Sequence, residues 1–600
     1  MNPQPKKRER KLLLFVAGLG GLLYGIDVGI IAGVLPYMEA TFKDSASGLP
    51  LSAGQLSVIV AAVLLGSVIS TLCAGACTEI IGRRPMMIVS GVLFVLSIPM
   101  IAMADGFGPL VVGRLLQGVS AGFIGVVIPL YLAETLVAGQ RGTGTGIFQW
   151  MLVAGLLASA LMALAFSRHL DGIEVAAQLA EAKDFAWRSV FWISLVPGLV
   201  FIAGAFFLPE SARWLFRKGR HEQARASLVR FREANEAELE MRELQAVAAR
   251  DSAPGTEAGS IFRRRYVLPF LLACLILACN QATGINSIIG FNTTILLQAG
   301  LDDKGAHLAS VFFTVVNFLF TMLAVVLVDR KGRKFLLCLG SGGIVVSLAA
   351  VGILFQHSEK RQVDCRESLE ELVAPVSDVK GLRSDERLRF HFDRDSLARL
   401  VSGRGEAAET LAGSPCTLTV IYSVGGFSGA TTAVRSDARE DKLVDISRNA
   451  ALPVNSVEAF FRNPSLDLEQ ARQAPLRIEH ALVTPVPPQS HGWAVALCLY
   501  AFMAFFAVGP GICVWLALSE LMPGRIRSNG MSVALLFNTV VSTFIAAVFL
   551  PSVGAHGYSS MFFVFAGFTV VYFLAALILL PETKGRTLEE IEEHFAGGSK

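Results

Sequence analysis

The chain has 600 residues, 53% of them hydrophobic, a mean hydropathy of +0.55 and a formal net charge of +3. A soluble protein of this length is less apolar, and so small a charge gives no electrostatic footprint for nucleic acid. The nine cysteines are scattered without metal-ligand or redox spacing, so the composition points to a membrane protein with no metal and no cofactor of its own.

The first apolar run, 12–36, follows Lys6, Lys7, Arg8, Arg10 and Lys11. It is too long for a signal peptide core and no small-residue cleavage site stands out after it, so it reads as a retained first span. A bilayer core takes about 20 apolar residues as helix. Further runs of that kind lie at 54–78, 85–104, 109–132, 143–166, 189–208, 266–298, 308–328, 335–355, 493–518, 531–553 and 558–580. Twelve spans predict an all-α membrane protein, because lipid leaves no partner for an unpaired backbone group. Lysine and arginine concentrate on alternate connections; the other short loops hold only Lys43, Arg168, Lys183, Arg188 and Lys304. That asymmetry predicts both termini in the cytoplasm and an inner or plasma membrane location.

Two connections are longer than loops. Residues 209–261, rich in Arg, Glu and Ala, predict a cytoplasmic helical linker between an N-terminal half, 1–208, and a C-terminal half made of 262–356 and 492–600. Residues 357–491 predict a small extracytoplasmic inserted domain between spans nine and ten. Its apolar runs at 418–424 and 476–483 suggest strands. Cys365 and Cys416 pair there if the compartment is oxidising. FHFDRD would place His391, Asp393 and Asp395 on one strand face, where a solvated face is the ordinary reading and a metal site the alternative.

The two halves repeat one another. Glu79-x-x-Gly82-Arg83-Arg84 follows span two, and Asp329-x-x-Gly332-Arg333-Lys334 follows span eight. Pro209-Glu210-Ser211 closes span six as Pro581-Glu582-Thr583 closes span twelve. Glu134 and Arg141 after span four match Glu520 and Arg527 after span ten. Repeats in parallel orientation belong to transporters whose halves rock about a site between them.

GLLYGID ending at Asp27, GRLLQG from Gly113, PLYLAET from Pro129, RG at Arg141, PESARWL from Pro209, NQATGIN from Asn280, DRKGRK from Asp329, GPGICVW from Gly509 and PETKGRTLEE from Pro581 follow in order through both halves. On these strings the chain resembles the sugar porter family of the major facilitator superfamily. The resemblance implies a secondary transporter, not an enzyme, with two six-helix pseudo-symmetric halves and a monomeric transport unit. Its partners would be a monosaccharide or related polyol, protons and the lipid bilayer. The insertion is not part of the usual pattern.

Asp27 and Arg114 lie well inside the apolar runs, each about as deep in the outer half, so the two are placed to meet. A charge at mid-bilayer costs about 2.5–3.5 kcal/mol on insertion scales, which demands a role. A fixed ion pair joining spans one and four is one; the resemblance implies another, a proton-coupling pair. It also matches Gln149, Asn280, Gln281, Asn286, Asn317 and Asn538, with Trp515 as a stacking surface, to a sugar site. Amides supply both donors and acceptors to hydroxyls, though interhelical contact is an alternative use of them. Asn280, Gln281 and Asn286 align poorly on a regular helix, and an unwound stretch at Thr283–Gly284 would gather them. Asn280, Leu156, Gly290, Phe291 and Thr539 depart from the symporter pattern. The charges Glu79, Arg83, Arg84, Glu134, Arg141, Glu210, Arg213, Asp329, Arg333, Glu520 and Arg527 flank helix ends. The resemblance implies that they bridge the halves when the site faces outward, against plain topological anchoring. A passive facilitator, a sugar sensor using the insertion and a membrane enzyme with an outer domain are the competing functions. The insertion shows no catalytic constellation.

Overall fold

Apolar runs that must satisfy every backbone group internally become helices, and the computed structural model shows them. It describes residues 4–44, 49–136, 138–170, 173, 175–251, 264–377, 387–402, 411, 414–431, 434–437, 443–452, 468–513, 521, 527–582 and 595. The first half holds spans one to six at Gln4–Thr41, Ala53–Ile81, Arg83–Ala102, Phe107–Thr135, Ala138–Leu170 and Ala176–Phe207. Helices Ala212–Arg217, His221–Phe231 and Ala234–Asp251 form the linker. Span seven is broken into Arg264–Ala282, Ile285–Gly290 and Asn292–Gln298; spans eight, nine and ten are Asp303–Lys331, Arg333–Glu359 and Gln489–Val508. Among the described residues 11 helices are long and apolar enough to cross a membrane. The last of them turns at Gly557, where φ is 81° and ψ 165°, so it carries spans eleven and twelve and the expected count of twelve stands.

Spans five and six run further than their apolar cores, to Leu170 and from Ala176. Arg188 therefore lies on a helix rather than in a loop. Its Nη1 donates to the carbonyls of Ala102 and Ala104 at 2.8 and 3.1 Å, satisfying the end of span three. Large apolar side chains such as Val196, Leu199, Phe206 and Phe207 stand exposed on span six, the face lipid would cover.

The repeat seen in the sequence is a contact in space. Gly82 and Gly332 end spans two and eight with φ of 110° and 90°. A side chain at either would strike a carboxylate: a Cβ would lie 2.4 Å from Glu210 Oε2 and 2.5 Å from Glu582 Oε2. Those carboxylates accept the first N–H groups of the next helix, Arg83 and Arg84 in one half, Arg333 and Lys334 in the other. Each is an anion on a helix N-terminus, delivered by the PES or PET string that closes the half. Burial pushes the Glu210 carboxyl above the ordinary carboxylate range despite the N–H groups of Ser211, Arg83 and Arg84 and the Arg83 charge.

Spans two and eleven pack across the halves, as do spans five and eight. On the face that carries the insertion the halves are hydrogen-bonded: Tyr37 Oη and Ser167 Oγ donate to Asp303 Oδ2 at 3.0 and 2.8 Å, and the Leu550 N–H donates to Ser57 Oγ at 3.3 Å.

The insertion folds around its own apolar cluster, which includes Cys365, Phe392, Leu397, Leu418, Tyr422 and Val483. Its larger sheet runs 363–364, 476–485, 416–424, 427–430, with 434–435 also on 416–424; strands 387–391 and 443–447 pair separately. The strands expected at 418–424 and 476–483 are thus present, slightly longer. The expected strand face at His391 is not: the strand ends there, and Asp393 caps the helix Arg394–Val401 by accepting the Ser396 N–H at 2.8 Å. Asp395 falls in that helix's first turn, because a capping aspartate competes successfully with strand extension. Cys365 and Cys416 are buried as thiols, which donate to the carbonyls of Val363 and Leu411, and burial pushes the Cys416 thiol up to about 11.

Candidate functional site

Two polar groups of the membrane interior come together as expected. Asp27 on span one and Arg114 on span four are 0% and 1% exposed, with Oδ1 3.6 Å from Nη1. The guanidinium also lies 6.0 Å from the Phe191 ring centre, on span six. Its short hydrogen bond goes elsewhere: Arg114 Nη1 donates to Gln117 Oε1 at 2.6 Å. Neither oxygen of Asp27 accepts a hydrogen bond among the described residues. Arg114 is therefore shared between a carboxylate on span one and an amide one turn along its own helix. Gln117 was missed, although its offset of three from Arg114 in GRLLQG sets both on one face.

The amides assemble where span seven breaks. Gly284 takes φ of 79° between Ala282 and Ile285, at the stretch where unwinding was expected. A Cβ there would lie 2.4 Å from two ring carbons of Phe565, so glycine is required both by dihedral and by space. The break lets Gln281 and Asn286 face one another. Asn286 Nδ2 donates to Gln281 Oε1 at 2.9 Å and to Ser542 Oγ at 2.6 Å, and Gln281 Nε2 donates to Asn538 Oδ1 at 3.2 Å. Ser542, one helical turn from Asn538, is a member that sequence reasoning omitted.

The other expected residues stand nearby without joining this network. Asn280 is buried, and its Oδ1 has no partner among the described residues. Asn317 Oδ1 accepts from Thr321 at 3.3 Å, within span eight. Gln149 is half-buried on span five. Between spans one, five, seven, eight and ten lies a cavity of only about 10 Å³, lined by Gly29, Leu156, Asn292, Thr314, Asn317 and Met503 among others. That is room for one water and not for a sugar. Trp515 and Glu520 lie outside the described residues. Arg141, Asp329 and Arg527 lie on described helices, but their side chains are outside the description.

On the face opposite the insertion, the expected charges meet within a half. Arg83 Nε and Nη2 form a fork on Glu134, both at 2.9 Å, and Nη1 reaches Glu79 at 3.2 Å. Arg217, absent from the sequence reading, pairs with Glu79 at 3.1 Å and Glu134 at 3.6 Å. Arg84 Nη2 donates to the Phe206 carbonyl at 2.6 Å, Arg333 Nη1 to the Val328 carbonyl at 3.4 Å, and Arg213 is half-buried with no partner for Nε among the described residues. Arg83, Glu79 and Glu134 belong to the first half and Arg217 to the linker, so these four do not make the expected bridge between the halves.

Two six-span halves, a polar centre between them and an ion pair buried in the membrane interior define a membrane transporter. Residues 13–367 and 479–595 match the model of the family "Sugar (and other) transporter", and the chain belongs to that family, the sugar porters of the major facilitator superfamily. It is 26% identical to inositol transporter 4 of Arabidopsis thaliana over 98% of this chain and 92% of that one. It is 24% identical to the glucose transporter GlcP of Staphylococcus epidermidis over 98% and 97%, and 26% identical to the proton myo-inositol cotransporter of Homo sapiens over 96% and 81%. Among solved structures, the xylose transporter XylE from E. coli, partially occluded and inward open, superimposes with a TM-score of 0.63 at 19% identity over 96% of this chain and 99% of that one, which shows the shared fold.

Proposed function

We propose that the protein carries a monosaccharide or related polyol across the cell membrane by alternating access, in symport with protons. It works as a monomeric unit with both termini in the cytoplasm, so the insertion faces outward and the charged linker inward. The observation that carries the coupling is the Asp27–Arg114 pair, buried from solvent at 3.6 Å. While Asp27 is charged, it ties span one to span four. Protonation removes that attraction, and Gln117 retains the guanidinium through its 2.6 Å hydrogen bond. The buried arginine is then not left without a partner, a state that costs about 3–5 kcal/mol. Span one is released to move with the solute. A group whose protonation differs between the two arrangements links the proton gradient to their equilibrium. One pH unit is worth about 1.4 kcal/mol, or roughly tenfold accumulation.

The same reading gives the amides their task. In the closed centre Gln281, Asn286, Asn538 and Ser542 satisfy one another. When the halves part, hydroxyl groups of a sugar take over those bonds, so little polar desolvation is left unbalanced. The relatives named for glucose and for inositol support a cyclic polyhydroxylated solute. The test is uptake of labelled D-glucose and myo-inositol by cells making the protein, with and without a protonophore. Accumulation above the external level that collapses with the protonophore is expected. Accumulation indifferent to it contradicts coupling, and absence of uptake of both contradicts the solute class.

A further inference from the structure

A second cavity lies above the membrane halves rather than between them. It has a volume of about 270 Å³ and lies between the sheet of the insertion and the nearby ends of the spans. One wall follows from strand pleating. Along 416–424, Cys416, Leu418, Val420 and Tyr422 point into the insertion's own core. Thr417 and Thr419 must then point the other way, and both line the cavity. Thr484, opposite Thr417 on the next strand, lines it as well, with Thr431 beyond. A sheet face that merely packed on membrane helices would be apolar, and one that met bulk water would carry charges. This one carries four uncharged hydroxyls beside Leu482 and one charge, Arg435, which is paired with Asp437.

The facing wall comes from both halves. Glu39 ends span one, while Glu359 ends span nine beside Phe355 and Tyr558, whose rings stack 4.9 Å apart. Glu359 is held in place by the Ser559 N–H at 3.1 Å and the Ser559 hydroxyl. Thr294, buried, lines the cavity with a hydroxyl that has no partner among the described residues. The insertion is seated tightly: a Cβ on Gly554 would lie 2.6 Å from that of Ala430. Leu550 lines the cavity and, through its N–H, bonds Ser57 across the halves. The floor of the chamber is therefore the closed gate itself.

We propose that this chamber is a loading site, which holds the transported polyhydroxylated solute at the outer gate before the halves open. This rests on the function proposed above. Threonine hydroxyls donate and accept, carboxylates take two hydroxyls at once, and an aromatic face accepts the C–H side of a ring. Because Arg435 also lines the chamber opposite the two glutamates, it suits a neutral solute better than a cation.

The test is protection of a placed thiol. Thr419→Cys, in the full chain in oriented vesicles, is labelled from the insertion face with a membrane-impermeant maleimide; Thr484→Cys serves if the first variant does not reach the membrane. Cys365 and Cys416 are fully buried, and the unmodified chain gives the blank. D-glucose or myo-inositol at twice its dissociation constant should slow labelling about threefold. The protection should persist when Gln281→Ala is added, which breaks the amide network. No labelling, no protection, or protection lost on adding Gln281→Ala each overturns the loading site. Persistent protection while Gln281→Ala leaves transport affinity unchanged would instead overturn the central site and leave this one standing.

Discussion

Gly284→Ala probes the break that gathers the amides. Its φ of 79° lies in the left-handed region, where a residue with a Cβ costs about 1–2 kcal/mol. The new methyl would also lie 2.4 Å from Cδ2 and Cε2 of Phe565 and 2.8 Å from Cγ. That ring is 1% exposed, stacked at 6.1 Å on Phe549 and set edge-on at 6.5 Å to Phe562, so it has no room to retreat. Overpacking of this kind costs about 1–3 kcal/mol. The total, about 2–5 kcal/mol, exceeds what a single hydrogen bond of the network holds, so the break should shift and part Gln281 from Asn286. We expect a lower melting temperature for the purified protein in detergent and a weaker affinity for the transported solute. Gly567→Ala is the control, since a Cβ there meets nothing within 4 Å and alanine suits a helix better than glycine. If Gly284→Ala melts and binds like the parent, the dihedral and the ring do not fix the break, and the reasoning fails.

Gln281→Ala should weaken solute affinity by about 1–3 kcal/mol, because it leaves Asn286 and Asn538 without their shared partner; an unchanged dissociation constant places the site elsewhere. Removal of 357–491, with a short polar linker in its place, should leave uphill uptake running, since loop closure costs little more for a long connection than a short one. A shortened chain that reaches the membrane folded yet moves no solute contradicts this. In the insertion, burial raises the Asp364 carboxyl, but hydrogen bonds from His480 and from the Ala481 and Arg366 N–H groups outweigh it, and its pKa lies below the ordinary value. Its contribution is therefore full above pH about 4 and is lost as pH falls through the lower folded value. The Asp364 side chain is 38% exposed, so solvent screens the pair and Asp364→Asn should cost about 1 kcal/mol or less, read as slightly faster proteolysis of the insertion in the intact chain at neutral pH and as no difference from the parent in strong acid.

Much of the architecture was legible because membrane physics restricts it. Apolar runs fixed the spans, and Gly82 with Gly332 marked the turns that the carboxylates of Glu210 and Glu582 complete. The break at Gly284 was readable because three amides at unsuitable offsets needed one. Gln117 and Ser542 escaped although each sits one turn from a residue already singled out; helical spacing applied outward from Arg114 and Asn538 finds both. Asn292 escaped for another reason: it lines the small central cavity only because the chain breaks again at Phe291, which no spacing within NQATGIN foretells. The aspartates after His391 misled because alternation alone does not say where a strand stops, and Asp393 stops it as a helix cap. The meeting of Arg83 and Arg217 on Glu134 is a property of the conformation and not of the string.

The central claim is that Asp27 couples solute to protons through Arg114. The direct measurement compares Asp27→Asn with the parent in proteoliposomes, recording accumulation under an inward proton gradient and solute exchange without one. Exchange at near-parental rate with accumulation abolished is the predicted result: the asparagine keeps the shape, Gln117 keeps hold of the guanidinium, and the titrating group is gone. Normal accumulation against a gradient by Asp27→Asn would contradict the account.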